Sequence, residues 1–171
     1  MIWVTGGSRG LGKQIAKAVA AQGAHVTIFA RRQAMLDAAR EEILSVRLDP
    51  KQIVNAISID LSDASKVDSV FHAQLTPADV LYCAAGGCPT QCGFLADINS
   101  SDLESCMKMN YFTAAYTTQS LFKIWIQDEK TTETPGITKP ARRQIVFINS
   151  AGAFLGLPGY TAYTCTSSLR V

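Results

Sequence analysis

Residues 2 to 22 read IWVTGGSRGLGKQIAKAVAAQ, and no other feature of the chain narrows its folding options as much. A short apolar run (IWVT) enters a turn with glycines at 6, 7, 10 and 12, which opens into a helical pattern ended by Gly23. The order is strand, glycine turn, helix, and the alternation then repeats. AHVTIFA (24–30) reads as a second strand, QAMLDAAREEILSVR (33–47) as an amphipathic helix, and QIVNAISI (52–59) as a third strand stopped by Asp60. Ser62 can cap a helix over 63–74, and DVLYCAA (79–85) is a fourth strand. Ser100 or Ser101 can cap a long helix over 102–126, and RQIVFIN (143–149) is a fifth strand. The intervening QDEKTTETPGITKPAR, polar and carrying two prolines, reads as a mobile surface loop.

Five apolar strands alternating with helices predict an α/β fold: a doubly wound parallel sheet, covered on both faces, with right-handed crossovers and ligands at the strands' carboxyl ends. No repeat or compositional break divides residues 1–171, so they read as one domain. A parallel sheet ending at RQIVFIN would leave an apolar strand as an open edge, which proteins usually avoid. The pattern therefore calls for further strands, and the chain is expected to be incomplete at its C-terminus.

Composition excludes several function classes. With 171 residues, 47% hydrophobic, 18% charged and a net charge of +2, the chain has the make-up of one soluble globular domain. Basic runs stop at the pairs Arg31-Arg32 and Arg142-Arg143, which is no nucleic-acid footprint. No uninterrupted apolar stretch approaches the ~20 residues of a membrane helix, and MIWVTGG runs into a turn rather than a secretory h-region. Five scattered cysteines suit a reducing compartment. Cys83, Cys88 and Cys92 invite a zinc reading, but there is no CxxC pair and neither histidine is near in sequence, so no metal is expected.

In its strand-turn-helix context, the glycine turn predicts dinucleotide binding. Gly6, Gly10 and Gly12 would permit the tight turn, admit a pyrophosphate close to the backbone, and pack helix against strand; the helix N-terminus would face the anion. Gly6-Gly7-Ser8-Arg9-Gly10 also fits the G-x-S-x-G elbow of serine hydrolases. That reading needs a triad histidine, and His25 and His72 sit at a strand start and in a helix. After the second strand the chain has Ala30, Arg31 and Arg32 where an acidic residue would hold the ribose of NAD. With Arg9, those guanidiniums match a 2′-phosphate and favour NADP(H); the alternative is that they are simply solvated.

TGGSRGLG, Asp60-Leu61, CAAG at 83–86, Asn110, Ser150 and Tyr163 together resemble, in order and spacing, the short-chain dehydrogenases/reductases. The resemblance covers essentially the whole chain. It implies a Rossmann-like fold and a cofactor site of Gly6, Ser8, Arg9, Gly10, Leu11, Gly12, Arg31, Arg32, Asp60, Leu61, Ala84, Ala85 and Gly86 for NADPH. It also implies a catalytic set: Ser150 hydrogen-bonding the carbonyl oxygen, Tyr163 supplying the proton, and Asn110 holding a relay water. Each residue has a plainer alternative. Asn110 could satisfy helix backbone, Asp60 cap a helix, Ser150 stabilise a turn, and Tyr163 fill core.

Within the family, FARRQAMLDAAREEI and IVFINSAGAFLGLPGYTAYT are most similar to members that reduce the ketone of a long-chain sphingoid base. Reductases of steroid or fatty acyl ketones share most of the motifs. The resemblance implies work at the cytosolic face of the endoplasmic reticulum membrane, attachment through segments outside this chain, and homo-oligomers through the helix at 101–126. Two positions depart from the pattern. Cys83 stands for an asparagine that supports the central strands. Ser167 stands for the lysine that would lower the tyrosine pKa from about 10. One expectation is that residues are missing after Thr166 or Tyr163, beginning with that lysine, so that SSLRV belongs to a later position; the other is a catalytically silent NADP-binding protein.

Overall fold

A computed structural model describes residues 1–88, 93–132 and 142–168. Five parallel strands form one sheet: β1 (Ile2–Thr5), β2 (Val26–Ala30), β3 (Val54–Ser58), β4 (Val80–Cys83) and β5 (Gln144–Phe147), in the order β3-β2-β1-β4-β5. The helices are α1 (Gly10–Ala21), α2 (Gln33–Val46), α3 (Ala64–His72), α4 (Ser100–Met107), α5 (Thr113–Thr132), α6 (Gly152–Leu155) and α7 (Thr161–Ser168), with a π-helical turn at Lys108–Phe112 between α4 and α5. The chain order reverses at β1, between β2 and β4, where doubly wound sheets hold their ligands.

Because side chains alternate across a strand, adjacent residues feed different layers. Trp3 and Phe29 join Phe71, Leu81, Leu121 and Trp125 under α3 and α5, whereas Val4 and Ile28 join Ala16, Leu36 and Ile43 under α1 and α2. Trp3 meets Phe29 and Phe71 edge-on at centroid distances of 5.5 and 4.8 Å. Such aromatic pairs add about 0.5–1.5 kcal/mol each beyond burial. Among the described residues β5 pairs with β4 alone, and Phe147 and Ile148 are 41% and 37% exposed.

Three local expectations are corrected. Asp63, not Ser62, caps α3: its carboxylate accepts from the Lys66 amide, and bonds from Ser65 and Lys66 hold its pKa down at about 2. Asn99, not Ser100 or Ser101, caps α4, in a reciprocal capping box with Asp102. The segment expected as a loop from Gln127 is helical through Thr132, while 133–141 lies outside the described residues. Cys92 of the zinc reading also lies outside them.

Candidate active site

The glycine turn is tight for reasons that can be measured. A Cβ on Gly12 would stand 2.5 Å from the Gly6 carbonyl oxygen, and one on Gly6, whose φ is +67°, would stand 2.8 Å from the Ala84 oxygen. Neither position admits a side chain without moving backbone. Gly12 therefore lets α1 press against the end of β1, and Gly6 lets the turn touch the loop after β4. Arg9 is the N-cap of α1 and makes no side-chain cap bond, so the first-turn N–H groups are free of a capping group and available to an anion. A pyrophosphate fits this cradle, and Arg9, Gly10 and Leu11 are exposed on it, with Ser8 half-buried.

Thr5 joins the two halves of the site. Its buried Oγ1 accepts from the amides of Ala84 and Ala85 at 3.0 and 3.1 Å and donates to the Tyr82 carbonyl at 3.3 Å. Thr5→Val would keep the shape, leave the Ala85 amide without its acceptor and reduce the Ala84 amide to its 3.2 Å bond with the Tyr82 carbonyl. Urea unfolding is expected to show a loss of about 1–3 kcal/mol, with Thr5→Ser much nearer wild type.

Arg31 and Arg32 follow β2 at the surface, and among the described residues neither guanidinium has an ion-pair partner within 4.0 Å. Asp60, after β3, does not cap α3. Its Oδ1 accepts from the Ser62 amide and hydroxyl at 3.0 and 2.8 Å. The amide bond first, then the hydroxyl and the nearby Arg31 charge, hold its pKa below the usual carboxylate range. Leu61 is 4% exposed and belongs to the core, so only its backbone is available to a ligand.

A cleft of about 530 Å³ opens beside this cradle, walled by the ends of β4 and β5, the π turn and α7. Ala84, Ala85, Gly86, Asn110, Ser150, Tyr163 and Ser167 all line it. Ser150 Oγ accepts from the Gly152 amide at 3.1 Å, which leaves its hydroxyl proton free to donate. A Cβ on Gly152 would meet Ser150 Oγ at 3.3 Å and the Tyr163 ring at 3.6 Å, so Ser150 and Tyr163 flank one small residue. They line the same cleft. Neither histidine lines the cleft, which removes the hydrolase alternative: His25 Nδ1 accepts from the Ile53 amide, and His72 ends α3.

Asn110 is in the π turn, not in a regular α-helix as the long helical pattern suggested. Its Oδ1 accepts from the Gly87 amide at 2.8 Å, and its Nδ2 donates to Thr166 Oγ1 at 3.1 Å and approaches Cys106 Sγ at 3.3 Å. Such π turns recur at functional sites. Cys83 turns its thiol to Thr117 and Thr118 at 3.9 and 3.8 Å, and burial pushes its pKa up to about 11. It packs β4 on α5 and is unreactive as a nucleophile. Ser167 lies one turn beyond Tyr163, so a neutral hydroxyl faces the cleft where the resemblance calls for an ammonium.

The expected residues thus fall into two groups: the glycine cradle with Arg31, Arg32 and Asp60, and the cleft with Asn110, Ser150 and Tyr163. Ala84 and Ala85 touch both, and Gly86 faces Asn110 in the cleft. Sequence reasoning missed Thr5, Gly7 and Thr166. Gly7 had a signal, since four glycines crowd one turn: a Cβ there would stand 2.6 Å from Ile28 Cβ. Thr5 and Thr166 had none, because their partners are distant in the chain.

Comparison with known proteins agrees with this geometry. The family model for short chain dehydrogenase matches residues 1–167. The 3-ketodihydrosphingosine reductase of Bos taurus is 35% identical over 167 residues, covering 94% of this chain and 46% of the relative. That of Aspergillus fumigatus is 35% identical over 170 residues, covering 95% and 45%. The chain thus spans about half the length of these curated relatives. Among solved structures, a short-chain type dehydrogenase/reductase from Mycobacterium ulcerans superposes with a TM-score of 0.82 at 20% identity, covering 98% of this chain and 57% of the other, a likeness of fold. By family model, sheet topology and glycine cradle alike, the chain belongs to the short-chain dehydrogenases, which use a nicotinamide cofactor.

Proposed function

We propose that this chain carries the cofactor-binding and catalytic part of an NADPH-dependent reductase that converts 3-ketodihydrosphingosine to dihydrosphingosine. The observation that carries the reading is the placement of Ser150 and Tyr163 around Gly152 in one cleft, continuous through Ala84–Gly86 with the glycine cradle. The names and 35% identity of the relatives support the substrate. So does the wall of the cleft, where Phe154 is 72% exposed and would meet an alkyl chain.

When bound, the reduced nicotinamide supplies a hydride to the carbonyl carbon, and the C=O π pair moves onto oxygen. The residues of the chain manage that oxygen. Ser150 donates a hydrogen bond to it as charge grows, and Tyr163 transfers its phenolic proton, so the product is the neutral alcohol. Asn110, bonded to the loop and to α7, stands where it can hold a water that returns the proton to Tyr163. Gly6, Gly10 and Gly12 admit the pyrophosphate, and Ala84–Gly86 and the backbone at Asp60-Leu61 bound the rest of the dinucleotide.

Arg9, Arg31 and Arg32 would receive a 2′-phosphate. Reversing the charge at Arg31, Arg31→Glu, should remove charge-assisted bonds of about 1.5–3 kcal/mol and weaken NADPH about tenfold to hundredfold, sparing NADH. Fluorescence titration of both cofactors checks this; equal weakening of the two would return the arginines to a solvated role.

We infer that a lipid substrate would bring the enzyme to a membrane surface; the family resemblance implies the endoplasmic reticulum membrane and homo-oligomers through the helical stretch 101–126. No helix among the described residues is long and apolar enough to cross a membrane. The deciding assay mixes the full-length protein with NADPH and 3-ketodihydrosphinganine: ketone-dependent loss of NADPH absorbance is expected. Tight NADPH binding with no consumption, for this or a steroid or fatty acyl ketone, would instead make it a silent binding protein.

A further inference from the structure

Thr166 stands in the middle of a chain of hydrogen bonds that runs from the loop after β4 to the helix bearing Tyr163. Its side chain is on α7, and the residue is 4% exposed. Oγ1 accepts from Asn110 Nδ2 at 3.1 Å and donates to the Tyr163 carbonyl at 3.0 Å, with Cys106 Sγ at 3.4 Å. At the far end Asn110 Oδ1 accepts from the Gly87 amide at 2.8 Å. The Asn110–Thr166 bond crosses 56 residues of sequence, and the Gly87–Asn110 bond crosses 23. Local helix geometry supplies neither.

The helix needs such a tie. α7 has eight residues, too short to be stable alone, and Ala162 and Thr166 are its buried members among the described residues. Ala162 contributes a methyl group and no direction. Thr166 contributes a directed bond, and its acceptor function fixes the rotation of α7 about its own axis. That rotation decides where the Tyr163 ring points relative to Ser150 and the Ala84–Gly87 loop.

The geometry points to Thr166 as a positioning residue for Tyr163 in the ketone reduction proposed above, a reading on which this inference rests. Thr166 is part of the cleft wall, but its hydroxyl is committed to Asn110 and to the Tyr163 carbonyl. It acts by holding α7 in register with Asn110, so that the phenol stays within the fraction of an ångström that proton transfer tolerates. A threonine that merely bonds back to the carbonyl three residues earlier would do none of this. The two roles differ in what they change: the local bond affects stability, the register affects the chemical step.

The test compares full-length wild type, Thr166→Val and Thr166→Ser by steady-state reduction of 3-ketodihydrosphinganine, NADPH binding, thermal unfolding, and the isotope effect with NADPH deuterated at the transferred position. In Thr166→Val, kcat per folded molecule should fall about tenfold, NADPH affinity should hold within about twofold, and the isotope effect should rise as chemistry becomes more limiting. Thr166→Ser, which keeps the hydroxyl, should restore most of kcat. Wild-type kcat and isotope effect in Thr166→Val, or a serine variant as impaired as valine, overturns the positioning role and leaves the reductase reading intact. Should valine not fold, Thr166→Ala is judged by the same criteria. Wild type that binds NADPH and leaves every ketone unreduced overturns both readings.

Discussion

Tyr163→Phe is expected to lower kcat by about 10²- to 10⁴-fold, the usual contribution of a positioned acid or base. The change deletes one oxygen and keeps the ring, whose Cε1 packs near Gly152, so α7 should keep its place. Hydride transfer would then build charge on a carbonyl oxygen that Ser150 can hydrogen-bond and nothing can protonate. On the proposed reading NADPH is held by the cradle at the other end of the site, and its binding should stay within about twofold of wild type. Stopped-flow measurement of the hydride step, beside a cofactor titration, separates the two effects. Turnover at near wild-type rate would take Tyr163 out of its role; loss of turnover together with cofactor binding would point to misfolding.

The second large effect is expected from Gly12→Ala. The new methyl carbon would lie 2.5 Å from the Gly6 oxygen and 3.2 Å from the Thr5 oxygen, both backbone atoms that cannot rotate away. α1 must then back off β1, at a cost of about 1–3 kcal/mol in stability. Its amino end moves with it. Even one lost charge-assisted bond to the pyrophosphate, about 1.5–3 kcal/mol, weakens NADPH roughly tenfold to hundredfold. Gly10→Ala is the informative contrast. Its added carbon meets nothing within 4 Å, so the strain comes only from a φ of +55°, about 1–2 kcal/mol for a left-handed residue. Equal effects of the two substitutions on binding would show that close packing of α1 is not what shapes the cradle.

Much of the site was legible because the chemistry is tied to local punctuation. Glycines in a strand-to-helix turn, Asp60 at the end of β3, and Ser150 just past β5 are placed by the alternation of strands and helices. The capping residues were misplaced because serine, asparagine and aspartate compete for the same role over a few residues. Asp63 won where its side chain reached the amide three residues on, Asn99 where its own amide met the Asp102 carboxylate, and Ser62 was drawn instead to Asp60. The π turn had no signature, since an added residue per turn leaves the apolar pattern of a long helix nearly unchanged.

From its residues alone this chain is committed to a parallel doubly wound sheet and to a tight glycine turn between β1 and α1, because periodicity and glycine placement act over a turn or two of backbone. Folding in three dimensions decided the rest: that Thr5 clamps Ala84 and Ala85, that Cys83 packs against α5 threonines, that Asn110 reaches both Gly87 and Thr166, and that Ser150 and Tyr163 meet across Gly152. Those bonds join residues up to 80 positions apart. No local pattern encodes a directed contact of that span, which exists only once the sheet order has brought its two ends together.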